Sequence, residues 1–250
     1  MVACGAAPRW LPRWLSVWDD LWTLVGAGIP CSDSAEARVC HARSMSRATK
    51  PHGRLLKNLP EEVARVQKAY PEAQIERGSQ DEHRIGLKPI LRRVWARVGS
   101  RVKAVVRPRS QWMDLYGFVE PQSGKTSWLL MPTVNTPACS LALATFAQEQ
   151  GAGPNTHVLV VMDQAGWHKS RDLVVPQGLH LLFLPSHSPE LQPAERLWPL
   201  SNEPLANRTF ASLDELEQIQ AERCRWLQAH PEVIRGRASF HWWPASLDTT

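Results

Sequence analysis

Apolar positions fall into short runs of two kinds. Val158 to Met162 is unbroken and ends at Asp163, which predicts a strand over 157–162 buried on both faces. Leu179 to Leu184 predicts a second apolar strand. Upstream, 73–80 reads as a weak strand leading to Asp81, and 101–107 alternates basic and apolar residues as a half-exposed strand would. Gln111–Glu120 and Lys125–Met131 predict a hairpin across Pro121-Gln122-Ser123-Gly124.

Helical spacing marks the remainder. Pro60 can open a helix presenting Val63, Val66 and Tyr70, stopping before Pro71. Thr136 is a candidate N-cap with Pro137 in the first turn and Gly151 at the end; Leu141, Ala144, Phe146 and Ala147 would face the sheet. A short polar helix is expected over 169–175. Ser212 with Glu215 forms a capping box for a last helix ending before Pro231, its inner face Leu213, Leu216, Ile219 and Trp226. Trp10, Trp14, Trp18 and Trp22 recur every four residues in a segment, 1–55, that otherwise matches nothing in 56–250. The order of elements predicts an α/β fold, a mixed sheet flanked by helices, with an irregular or helical N-terminal appendage.

Charge changes the picture. The net charge is +5, yet His83–Ser110 contains Arg84, Lys88, Arg92, Arg93, Arg97, Arg101, Lys103, Arg107 and Arg109 with no acid. Removing these nine leaves 5 − 9 = −4 for the rest. The positive charge is local, as on a surface that meets a polyanion, although a solvated basic strip reads the same way. Five cysteines with no C-x-x-C spacing point away from a disulfide framework or a zinc site and fit a reducing cytoplasm. No run approaches a membrane span.

Three acids stand where loops leave the sheet. Asp163 follows the most apolar strand, a common position for sites in α/β sheets. Glu195 falls in the first turn of a helix opened by Pro193, inside "LPSHSPELQPAERLW", with 195 − 163 − 1 = 31 residues between the two acids. Glu190 is the rival acid in that loop, and Asp114 on the hairpin is a reserve ligand. Asp81 would come from the first strand, with Glu82 pointing to the other face. Three carboxylates without cysteine suit Mg²⁺ or Mn²⁺. Two such ions about 4 Å apart can serve phosphodiester chemistry.

"VLVVMDQAGWH" and "LPSHSPELQPAERLW" resemble the DDE endonuclease domain of bacterial insertion-sequence transposases of the mariner-like superfamily, and "DEHRIGLKPILRRVWARVG" resembles its first-acid segment. The resemblance runs from about Leu56 to Trp243. It implies an RNase H-like fold, metal-dependent DNA cleavage and strand transfer, and Asp81, Asp163 and Glu195 as the catalytic, metal-holding set. DNA would lie on Arg84, Lys88, Arg92, Arg93, Arg97, Arg101 and Lys103. His168 would orient an acid or touch DNA, a structural imidazole being the plainer reading; Trp167 and Trp198 read as packing. Gln164 and Gln192 stand where relatives carry Asn or Gly and Asn, each amide one methylene longer than Asn. A helix-turn-helix is expected at the N-terminus of such proteins and is not recognised in 1–55. An inactive DNA-binding remnant is therefore the alternative to an active enzyme, and an RNA-cutting hydrolase on the same fold a third reading. A homodimer fits transposition.

Overall fold

The computed structural model describes residues 55–99, 103, 109–186, 188–239 and 242–243. The tryptophan stripe and, apart from Lys103, the strand expected over 101–107 lie outside them, as does Arg101. Five strands form one sheet in the order β3-β2-β1-β4-β5. These are β1 (Gln74–Gly86), β2 (Trp112–Val119), β3 (Thr126–Met131), β4 (Thr156–Met162) and β5 (Leu179–Phe183). β1, β2 and β3 pair antiparallel, and β4 and β5 run parallel to β1. The hairpin turns where Gly124 takes φ 78°, conformationally cheap only without a Cβ.

β1 is longer than its composition suggests. It runs through Asp81 and Glu82 instead of stopping before them, because β4 pairs with 74–79 and β2 takes over from 79 to 86. Sheet pairing overrides the weak propensity of Glu76-Arg77-Gly78.

Helices cover both faces. α1 (Leu55–Ala69) begins five residues before Pro60 and lays Leu59, Val63 and Val66 on Leu159, Val161 and Leu184; Tyr70 stays exposed. α2 (Thr136–Glu149) is capped by Asn135, not Thr136: the Asn135 side chain accepts from Ala138 N at 2.8 Å. Its buried face is Ala138, Cys139, Ala142, Leu143, Phe146 and Ala147, which packs on Tyr116, Phe118, Val158, Val160 and Met162. Leu141 and Ala144 point outward, so the buried face is rotated from the expected one. Phe118 and Phe146 stack with ring centroids 4.2 Å apart.

The stretch 169–175 is turn and loop, and the helix expected there does not form. After β5 the prolines give short 3-10 turns, Pro189–Leu191 and Pro193–Leu197, leading into α3 (Trp198–Ser201). A further 3-10 turn, Glu203–Leu205, follows. α4 (Leu213–Ala229) has the expected Ser212 cap; Ser212 Oγ accepts from Glu215 N at 3.2 Å. Leu216, Gln220, Cys224 and Leu227 form its buried face, and Trp226 is partly exposed. α5 (Pro231–Ala238) follows, a helix that the apolar spacing does not signal. Trp242 and Trp243 are buried in the α1 layer. No helix among the described residues is long and apolar enough to cross a membrane.

Candidate active site

Strand register brings the first two acids together. Ser79 pairs with Val161 across the parallel β1–β4 ladder. Asp81 stands two residues further along β1, and Asp163 two residues past Val161, just beyond the end of β4. Alternation puts Asp81 on the face covered by α3 and α4, opposite Gly117 of β2, and Glu82 on the α2 face, opposite Tyr116. Glu195 comes to this rim on the 3-10 turn that Pro193 opens. Ala194 and Leu197 of that turn are fully buried, which seats it, while Glu195 itself stays exposed.

Charge couples Glu195 to each of the other two acids. Burial first, then the charge of Glu82, push Asp81 up to about 7; Glu195 adds to the push, and the Trp198 hydrogen bond opposes it. Burial, then Asp163 and Glu190, raise Glu195. Asp163 goes the other way: its bond to His168 lowers it against a burial effect that raises it. Carboxylates held this close repel. An all-oxygen donor set under that strain fits a hard divalent cation.

Each acid has a support. Trp198, read from sequence as packing, donates its indole N–H to Asp81 Oδ2 at 3.1 Å. The indole stacks on His83, 5.0 Å between centroids, and presses on β2 at Gly117, where a Cβ would lie 2.9 Å from Cη2. His83 bonds Asn202, and burial lowers its pKa, keeping the imidazole neutral. Asp163 Oδ1 accepts from Ala165 N at 3.0 Å and from His168 Nδ1 at 2.7 Å. His168 Nε2 lies 2.8 Å from Glu82 Oε1. Trp167 Nε1 is 3.0 Å from the same nitrogen, which has room for one bond; the carboxylate is the stronger partner. Burial alone would lower His168, but bonds to Asp163, Cys139 and Glu82 push it up to about 12. Glu82, Cys139 and His168 place three donor atoms within 4.8 Å of one another. Hydrogen bonds already occupy both imidazole nitrogens, so the cluster is satisfied without an ion.

Gln164 and Gln192 act as staples. Gln192 is buried; it accepts from Ser79 Oγ and donates to Gln80 O at 2.8 Å, tying the Glu195 turn to β1. Gln164 donates to Leu184 O at 2.7 Å and accepts from Lys169, tying the Asp163 loop to the end of β5. Their extra methylene gives the reach that these contacts use.

The basic residues divide. Arg84 is taken by Asp114 at 3.0 Å and lies over the Trp112 ring, 5.3 Å from its centroid. Asp114 is thereby buried and paired, not a reserve ligand or a solvated acid. Arg92 donates to Pro199 O. Its backbone N donates to Asn207 Oδ1 at 2.9 Å, and Asn207 Nδ2 donates to Arg92 O at 3.1 Å. Asn207, at φ 58°, carries no sequence signal, yet it anchors the basic strip beside α3. Beyond this anchor Lys88, Arg93, Arg97 and Lys103 are exposed. Trp95 stands 99% exposed among them.

Residues 78–217, more than half of the chain, match the family described as DDE superfamily endonuclease. The chain belongs to that family. Asp81, Asp163 and Glu195 lie within the matched region, as do His168, Gln164 and Gln192. An uncharacterized protein, y4pE/y4sA of Sinorhizobium fredii, is 37% identical over 106 residues, 42% of this chain and 77% of the relative. Among solved structures, the Mos1 mariner paired end complex with Mn is similar at TM-score 0.51 and 16% identity, over 88% of this chain and 68% of that one. The Mos1 strand transfer complex is similar at TM-score 0.45 and 16% identity, over 80% and 68%. The first of these likenesses shows a shared fold, the RNase H-like mixed sheet of the transposase catalytic domain.

Proposed function

We propose that this DDE endonuclease is a transposase that cleaves DNA strands and transfers them, with Asp81, Asp163 and Glu195 holding Mg²⁺ or Mn²⁺. The observation that carries the reading is the approach of Asp81, on β1, and Asp163, one residue past the end of β4, to one rim, with Glu195 close enough to add to the raised pKa of Asp81 and to be raised in turn by Asp163. The divalent metal is supported by the oxygen donor set and by the Mn of the Mos1 paired end complex, whose fold the chain shares. When bound, it supplies Lewis-acid activation of the attacking oxygen and stabilisation of the leaving one.

The chain's own groups do the rest. Trp198 fixes the rotamer of Asp81. The stapled loops hold Asp163 and Glu195 against the sheet, so that repulsion between the acids cannot be relieved by loop movement. Lys88, Arg93, Arg97, Arg101 and Lys103 take the phosphate backbone, its affinity salt-dependent through counterion release. Arg84 and Arg92 contribute charge from paired positions. DNA ends and target are the substrates. Because the Mos1 neighbour is a paired end complex, two copies of this chain are proposed to act together.

The test is nicking of supercoiled DNA by the full chain with Mg²⁺, Mn²⁺ or EDTA. Wild type nicks only with metal, and Asp163→Ala and Asp81→Asn reduce the rate by at least a hundredfold. Equal nicking by wild type and variants would remove the catalytic assignment.

A further inference from the structure

We propose that Glu82 and His168 form a relay that positions Asp163, so that the first two acids take their relative placement from one strand. This rests on the reading of Asp163 as a metal-holding acid. The residue next to Asp81 on β1 thereby governs the second acid from the opposite face of the sheet.

The need for such a device is visible in the backbone. Asp163 lies just past the last residue of β4, on a stretch without regular structure, and its side chain is 51% exposed. Its two bonds, to Ala165 N and His168 Nδ1, come from its own loop. Bonds within a loop let that loop move as a body. Two bonds stop it at its ends. Gln164 ties it to Leu184 near β5, and His168 Nε2 ties it to Glu82 on β1.

Of these two ties, the one through His168 reaches the strand that carries Asp81. The path is short: one peptide step from Asp81 to Glu82, a 2.8 Å bond to His168 and a 2.7 Å bond to Asp163. Every link is held. Gln80 Nε2 donates to Glu82 Oε1 at 3.0 Å and fixes its rotamer. The His168 side chain has no exposed surface and that of Glu82 is 7% exposed, so water does not compete for the bond between them. The bond from His168 falls on Oδ1 of Asp163, which orients the other carboxylate oxygen outward. Groups that orient metal-holding side chains from behind typically matter tenfold to a hundredfold in metal affinity.

The experiment uses the full chain and two readouts. Calorimetry with Mn²⁺ should show His168→Ala binding at least tenfold more weakly than wild type. Glu82→Ala should weaken binding several-fold, and Glu82→Gln, which keeps an acceptor oxygen, should recover most of that loss. Cys139→Ser touches the same imidazole without linking the two strands, and should bind as wild type. Near-UV circular dichroism selects the variants that retain the native fold. Folded His168→Ala and Glu82→Ala proteins with wild-type affinity would overturn the proposal. So would a loss in Cys139→Ser equal to that in Glu82→Ala, because the effect would then be packing.

The second readout is NMR of the metal-free chain. Glu82→Ala should displace both the His168 Nδ1–H resonance and the Asp163 carboxylate carbon resonance. If wild type binds no Mn²⁺, the proposed metal role fails, and this spectrum alone decides the relay: an unmoved Asp163 resonance refutes it.

Discussion

Asp81 is held against its own interest as a charge. Its carboxyl is raised from 3.8 to about 7, burial being the largest cause. The unfolded chain releases this proton near 3.8 and the folded chain near 7, so the folded state binds more protons between those values. Stability therefore falls as pH rises through that window and the penalty is complete above it. Asp81→Asn keeps an acceptor for the Trp198 indole and removes the charge. In EDTA its Tm should exceed that of wild type by several degrees at pH 8, and by much less near pH 4.5. A gain independent of pH would contradict the origin assigned to it. Gln192 makes the opposite case. Gln192→Ala leaves Ser79 and Gln80 O without their buried partner and should cost about 1–3 kcal/mol in urea unfolding. Gln192→Asn, which reaches less far, should recover part of the loss. At Gly117, substitution by alanine should leave the sheet paired but push the Trp198 indole off Asp81, lowering nicking without touching an acid.

At the scale of elements, β4 and β5 carry a second titrating feature at the end away from the acids. His157 Nδ1 and His180 Nε2 lie 2.8 Å apart on adjacent strands, with Tyr70 stacked on His157. Burial, then His157, lowers the pKa of His180 below 6.5. Folding thus favours the neutral ring, and stability is lost as pH falls below 6.5. The Tm of His180→Gln should drop less than that of wild type between pH 7 and pH 5.5. What could be read from the sequence follows the same physics. β4 and β5 were legible because burial on both faces leaves an unbroken apolar run, and the hairpin because Gly124 marks its turn. Asp163 and Glu195 were legible as acids at the ends of such elements. The length of β1 was not, because its stability comes from β2 and β4 and not from its own residues. The absent 169–175 helix shows the reverse: its apolar residues, Leu173 to Val175, are consecutive and make no helical face, and Leu173 reaches the core from a loop. Trp198 could be seen as an aromatic near an acid, but its donor role depends on the room left by Gly117, some eighty positions earlier. Gln192 looked like a flaw because only the fold reveals what an extra methylene can reach.

Across the whole molecule, charge is segregated. The sequence from Lys88 to Lys103 carries six basic residues and no acid, and Asn207 holds it at Arg92. DNA affinity should fall linearly with the logarithm of salt concentration. Replacing Lys88, Arg93 or Lys103 singly by alanine should each reduce the slope by about one, read by anisotropy titration. The central place of β1 has a further consequence. β1 is paired along its whole length, with β4 over 74–79 and with β2 over 79–86, so its backbone amide hydrogens should exchange more slowly than those of a short 3-10 turn such as Pro193–Leu197. The proposed cation site thus joins Asp81, on a paired strand, to Glu195, on a turn that the Gln192 staple keeps from opening by itself, and Gln192→Ala should speed amide exchange in that turn before it does so in β1.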